Sequence, residues 1–127
     1  MRLAVAALLA FVPLTSASAQ SCADRQMIVH ALNHVAKECP GLSLSPAGSK
    51  LRHESQIELA KDPEFGPACE LAGRQALLRT IATDRMKAAA EARNTQVFGQ
   101  EMCVQSEAFL NGIAANLGGS QLVARRQ

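Results

Sequence analysis

Tryptophan and tyrosine are absent from the 127-residue sequence, and phenylalanine occurs only four times. Sugar-binding clefts, base-stacking platforms and tight protein hot spots lean on Trp and Tyr, so carbohydrate and nucleic-acid recognition are disfavoured. An excess of one charge is also missing, with 13 Lys and Arg against 11 Asp and Glu. That balance gives no electrostatic case for nucleic acid or for an anionic membrane surface, each of which demands a clustered basic face. The one local cluster, Arg125-Arg126, stands at the extreme end and reads as a frayed, solvated terminus. Eight Gly and five Pro are too few for a collagen-like or low-complexity chain, and an apolar share of 48% is that of a folded domain. The length bounds one domain.

Catalytic and redox motifs are lacking as well. There is no Cys-x-x-Cys, which removes a thioredoxin-like pair, a zinc ribbon and covalent haem attachment. There is no Gly-x-Ser-x-Gly, and Ala31 after His30 breaks the zincin pattern. His53, Glu54 and Ser55 are adjacent in sequence, but neighbours on a helix point in different directions. Glu54 and Glu58 form an acidic edge facing water, balanced by Lys50 and Lys61. No group of titratable residues converges, so an enzyme is not expected and no cofactor is implied.

No apolar run reaches the roughly 20 residues needed to span a bilayer. The apolar stretch at the N-terminus, Leu3 to Leu14, ends after about a dozen residues; it follows Arg2 and precedes the small residues Ala17-Ser18-Ala19. This is the pattern of a cleaved signal peptide over 1–19, leaving one helical domain over 20–127 and no transmembrane anchor. Cys22 follows Ala19-Gln20-Ser21, which lacks the leucine of a lipoprotein signal. The expected location is periplasmic or secreted, and the short Ala- and Arg-containing leader suits a bacterial envelope.

What is present is helical period and four cysteines. Ile28, Ala31, Leu32, Val35 and Cys39 share one arc of a helix over 24–38, with Gln26, His30, Asn33, His34 and Lys37 on the other side. The helix stops at Cys39-Pro40-Gly41. Pro40 to Ser49 reads as a loop, with a second helix starting at Ser45-Pro46 or Ser49 and ending at the turn 62–67. In it Leu51, Ser55 and Leu59 share a face that Ile57 does not join. The long proline-free stretch 67–93 reads as one helix, with Leu71, Leu78, Ile81, Ala88, Ala89 and Ala92 facing the core and Leu77 widening that side. After a break at Asn94-Thr95, Met102, Cys103, Ser106, Phe109, Leu110, Ile113 and Leu117 form the stripe of a fourth helix, which Gly118-Gly119 stops. The expected fold is all-α, a small four-helix up-down bundle.

An even cysteine count in an exported chain of this size implies a disulfide framework. In an up-down bundle with a continuous third helix, Cys22 falls beside Cys69 at one end. Cys39, 17 residues further on, is level with position 86 of the third helix, and reflection through the turn at 94–95 brings that level to Cys103. The expected bridges are therefore Cys22–Cys69 and Cys39–Cys103.

Met27, His30 and His34 stand on one helix at the spacing that can chelate a borderline or soft metal. The plainer alternative is two solvated histidines, since three such ligands without a Cys or carboxylate set make a weak site. The remaining binding surface is aliphatic and sulfur-bearing: Met27, Met86, Met102, Leu77, Phe65 and Phe98. The leading functional expectation is a non-enzymatic protein-interaction module, such as an inhibitor, immunity or chaperone-like factor, whose partner is another envelope or secreted protein. The alternative is a metal or small apolar ligand binder using the Met27, His30 and His34 face or a cavity between helices.

Overall fold

Helix punctuation from short polar side chains accounts for most of the element boundaries in the computed structural model, which describes residues 22–126. The expected signal peptide over 1–19 lies outside the described residues. The first helix, α1, is described over 22–38. It leads through the Pro40-Gly41 turn into a short strand β1 (Leu42–Leu44) and then α2 (Pro46–Lys61). At the start of α2 the Ser45 hydroxyl accepts from the Gly48 N–H (3.0 Å) and donates to the Gln121 carbonyl oxygen (2.6 Å), so one cap also ties down the C-terminal segment. Asp62 Oδ1 accepts from the Glu64 N–H at 2.8 Å and shapes the turn that precedes α3 (Pro67–Ile81).

The segment 67–93 is two helices, contrary to the single one expected. Ala82 ends α3, and the Thr83 hydroxyl accepts from the Met86 N–H (3.1 Å) to start α4 (Asp84–Glu91). A threonine followed by an acidic residue is a helix start, and its side-chain bond competes with the continuing ladder. The redirection sends Met86 and Ala89 inward, while Ala88 and Ala92 stay exposed. On α3 the buried stripe is Cys69, Gly73, Leu77 and Ile81, with Leu71 53% exposed. Because Cys69 is bonded to α1, the face it defines is the one that packs. Asn94 caps α5 (Thr95–Asn116) by accepting from the Val97 N–H at 3.1 Å, as the expected break requires. Ser106, Leu110 and Ala114 line its buried side, and Leu117, at the cap, is exposed. The described residues thus hold five helices rather than four.

The segment 122–126 is tied to the rest of the fold rather than frayed. Strand β2 (Val123–Arg125) pairs antiparallel with β1, Leu42 opposite Arg125 and Leu44 opposite Val123. Asn111 on α5 clamps the approach to it: Oδ1 accepts from the Leu122 and Val123 N–H groups, and Nδ2 donates to the Val123 carbonyl. Arg125 adds a two-pronged pair with Glu107. Gly48 lies under the same segment, where a Cβ would collide with the Leu122 carbonyl.

Both expected disulfides are present. Cys22–Cys69 has a Cα separation of 6.1 Å and Cys39–Cys103 one of 5.7 Å. The fold is all-α with a two-stranded ribbon, and its two bridges fit an oxidising compartment. The main core gathers Ala31, Leu32, Val35, Leu77, Ile81, Met86, Leu110, Leu122 and Val123, while Val29 and Leu59 pack with the Cys22–Cys69 bridge in a second cluster. Helix α1 is therefore buried on two sides, which is why Gln26, placed on the polar side by its period, is only 5% exposed. No described helix is long and apolar enough to cross a membrane.

Candidate functional site: a groove between α1, α3, α4 and α5

Splitting 67–93 into two helices opens a cavity of about 760 Å³ where they meet α1 and α5. Helix α3 contributes Leu77, Leu78 and Arg74. From α4 come Ala89 and Ala90, small enough to leave room, and from α5 come Phe98, Gly99 and Met102. The α4–α5 turn places Arg93 and Asn94 at the lining, and His30 and His34 complete it from α1. The volume lies within the range of small-molecule sites, which are mostly apolar with a few convergent polar groups.

Among the described residues no carboxylate lines this groove, so the charged groups they bring to it are of one sign. Arg74 is partly engaged, at 3.2 Å from Glu70 in an exposed pair of the kind that contributes little. Arg93 has no carboxylate within ion-pair distance among the described residues. Its backbone is left-handed, with φ 54°, a conformation that costs a non-glycine residue about 1 kcal/mol. Strain of this sort persists where the surroundings hold it and clusters at ligand clamps.

The three side chains expected as a metal set face three different neighbours. Met27 Sδ accepts from the Thr80 hydroxyl at 3.7 Å. His30 donates from Nε2 to the Glu70 carbonyl at 3.3 Å. His34 Nε2 lies 3.7 Å from Cys103 Sγ. The two histidines share the groove, and Met27 is not part of its lining. His53 is exposed, and Glu54 and Glu58 pair with Lys50 and Lys61 at 3.8 and 3.9 Å. Of the apolar candidates, Leu77, Phe98 and Met102 reach the groove, Met86 is in the core, and Phe65 lies exposed in the turn before α3.

His34 is half-buried, and desolvation pushes its pKa below the ordinary 6.5, against weaker opposing effects from Glu38 and the Gly99 backbone. In the unfolded chain the imidazole takes up its proton more readily. Stability is therefore complete above pH 6.5 and falls as pH drops through that value and through the lowered one of the folded state. We expect the melting temperature to decline between pH 7.5 and pH 5 by more in the wild type than in His34→Gln. Equal declines would show that His34 is not the group responsible.

Comparison with protein-family models, with curated proteins and with solved structures returns no match.

Proposed function

We propose that this is an exported, non-enzymatic binding protein, periplasmic or secreted, whose groove takes an apolar ligand carrying an anionic group, such as a long-chain carboxylate. The supporting observation is the groove itself: an aliphatic and aromatic interior with Arg93, Arg74 and two histidines at its lining and no acid among them. An anionic head has charge-assisted donors to meet, and a cationic one has only repulsion. Docking another protein on an apolar helix face has less support. The exposed large apolar residues Ile57, Phe65, Leu71, Val104 and Leu117 are spread over α2, the α2–α3 turn, α3 and opposite sides of α5.

Calorimetric titration with dodecanoate against dodecyltrimethylammonium, which has the same tail and the opposite charge, tests this reading. The carboxylate should bind at least about tenfold more tightly, as one charge-assisted hydrogen bond of roughly 1.5–3 kcal/mol implies. Arg93→Gly gives a sharper result, because its two consequences have opposite signs. Glycine relieves the left-handed strain, so the melting temperature should hold or rise, while dodecanoate affinity falls about tenfold. Equal affinity for the two surfactants, or an Arg93→Gly variant that binds like wild type, overturns the proposal.

A further inference from the structure

The two disulfides sit in different surroundings. Cys22 and Cys69 are buried together with Val29 and Leu59. Cys39, 4% exposed, is as buried as these and belongs to the main core, but it and Cys103 also border a second cavity of about 540 Å³, which touches the groove at Thr95 and Gly99. Cys103 is half-buried, and it has His34 at its sulfur. The ligand atoms of His34, Cys39 and Cys103 all lie within 4.8 Å of one another.

These distances match one particular coordination. A tetrahedral zinc ion with Zn–S of about 2.3 Å and Zn–N of about 2.0–2.1 Å has an S···N edge of about 3.6 Å and an S···S edge of about 3.8 Å. The His34 to Cys103 separation of 3.7 Å is already that S···N edge. Only the two sulfurs, bonded to one another in the bridge, are closer than two ligands of one ion. Breaking the bridge and letting the sulfurs part to that edge completes the three-ligand set. A bridged cysteine is not a thiolate, so the oxidised protein offers the metal His34 alone.

We propose that the dithiol form of this protein binds one thiophilic d¹⁰ cation, zinc, through Cys39, Cys103 and His34, with the fourth position facing the 540 Å³ cavity. A small-molecule or protein dithiol reduces the bridge: the sulfur–sulfur bond takes two electrons and two protons, and the donor closes its own disulfide. Zinc then displaces the two thiol protons to solvent with no further electron transfer. Because the metal binds only the reduced form, it draws the bridge toward reduction by mass action. The oxidised bridge and the zinc complex are two alternative staples between the end of α1 and α5. This site shares only His34 with the groove and does not depend on what the groove holds.

The test uses the purified protein treated with limiting dithiothreitol, with the opened bridge identified by alkylation and peptide mass. Cys39–Cys103 should open before Cys22–Cys69. Zinc titrated against a chromogenic chelator should bind at one ion per chain, and cobalt should give a thiolate charge-transfer band with tetrahedral visible bands. The oxidised protein should show neither. His34→Ala should weaken zinc binding at least tenfold while leaving the order of reduction unchanged. If reduction lowers the helical circular dichroism, zinc should restore it. Absence of a one-to-one complex, equal affinity in His34→Ala, or lost helicity that zinc does not restore would each overturn the assignment.

Discussion

Replacing Gly73 by alanine is expected to lower the unfolding free energy by about 1–2 kcal/mol, despite putting a better helix former into α3. The intrinsic gain on exchanging a helical glycine for alanine is close to 1 kcal/mol. Against it stands the packing of α3 on α1. A Cβ at position 73 would collide with the Cβ of Gln26 and lie 3.0 Å from the Ala23 carbonyl oxygen. Backbone atoms cannot rotate away as a side chain can. The helices must separate, yet Cys22–Cys69, one turn from this contact on each helix, resists separation. Overpacking of this kind costs about 1–3 kcal/mol and more where relaxation is blocked, so the clash outweighs the propensity. Gly112 on α5 is the internal control, because nothing lies within 4 Å of a Cβ there. Gly112→Ala should raise stability by up to about 1 kcal/mol. Urea denaturation at pH 7.5 reads both, and two changes of the same sign would contradict the close α1–α3 contact.

The second large effect concerns the buried bridge. Converting Cys22 and Cys69 to alanine together should cost about 2–4 kcal/mol and lower the melting temperature by roughly 10–25 °C. The bridge closes a loop across a sequence separation of 47 residues, which leaves the unfolded chain much freer once it is cut. Cys22 and Cys69 are 1% and 7% exposed, so the loss of packed sulfur adds to the entropic term. Serine replacements should be worse than alanine, since two hydroxyls would be buried among Val29 and Leu59 without partners. A double alanine variant that melts within about 3 °C of wild type would show that the bridge staples helices already held by packing.

Local chemistry explains which elements were legible in the sequence. Ser45-Pro46, the turn at 62–67 and Asn94 are visible because a short polar side chain or a proline acts on its own neighbouring backbone. Level along the helices explains one bridge fully; the other, Cys39–Cys103, is present as expected although the continuous third helix used to place it is broken after Ile81. Cys22–Cys69 depends only on residues before the α3–α4 break, and it forms as expected. The break itself carried a local mark, Thr83-Asp84, which the surrounding run of Ala, Arg and Leu outweighed. Strand β2 had no comparable mark: three residues are too few to show a period, and their partner Leu42–Leu44 lies some 80 positions earlier. The expected frayed end failed for this reason, since Asn111, Glu107 and Ser45 hold it from elements distant in sequence.

The candidate site divides in the same way. His30, His34, Leu77, Phe98 and Met102 stood out by residue type and do line the groove. Arg74 and Arg93 did not, because on a helix surface an arginine reads as solvated charge until another helix makes a wall beside it. The left-handed backbone of Arg93 was equally hidden, since glycine or asparagine is the usual occupant of such a position. His34 meets Cys39 and Cys103 only after the bridge has brought α1 and α5 together.

Amide chemical-shift mapping of the ¹⁵N-labelled protein titrated with dodecanoate tests the groove most directly. Shifts concentrated at Leu77, Leu78, Ala89, Ala90, Arg93, Phe98 and Met102, saturating at one ligand per chain and weakened by Arg93→Gly, are the expected result. Shifts scattered over the exposed apolar residues Ile57, Phe65 and Val104, or none below the micelle concentration, would contradict it.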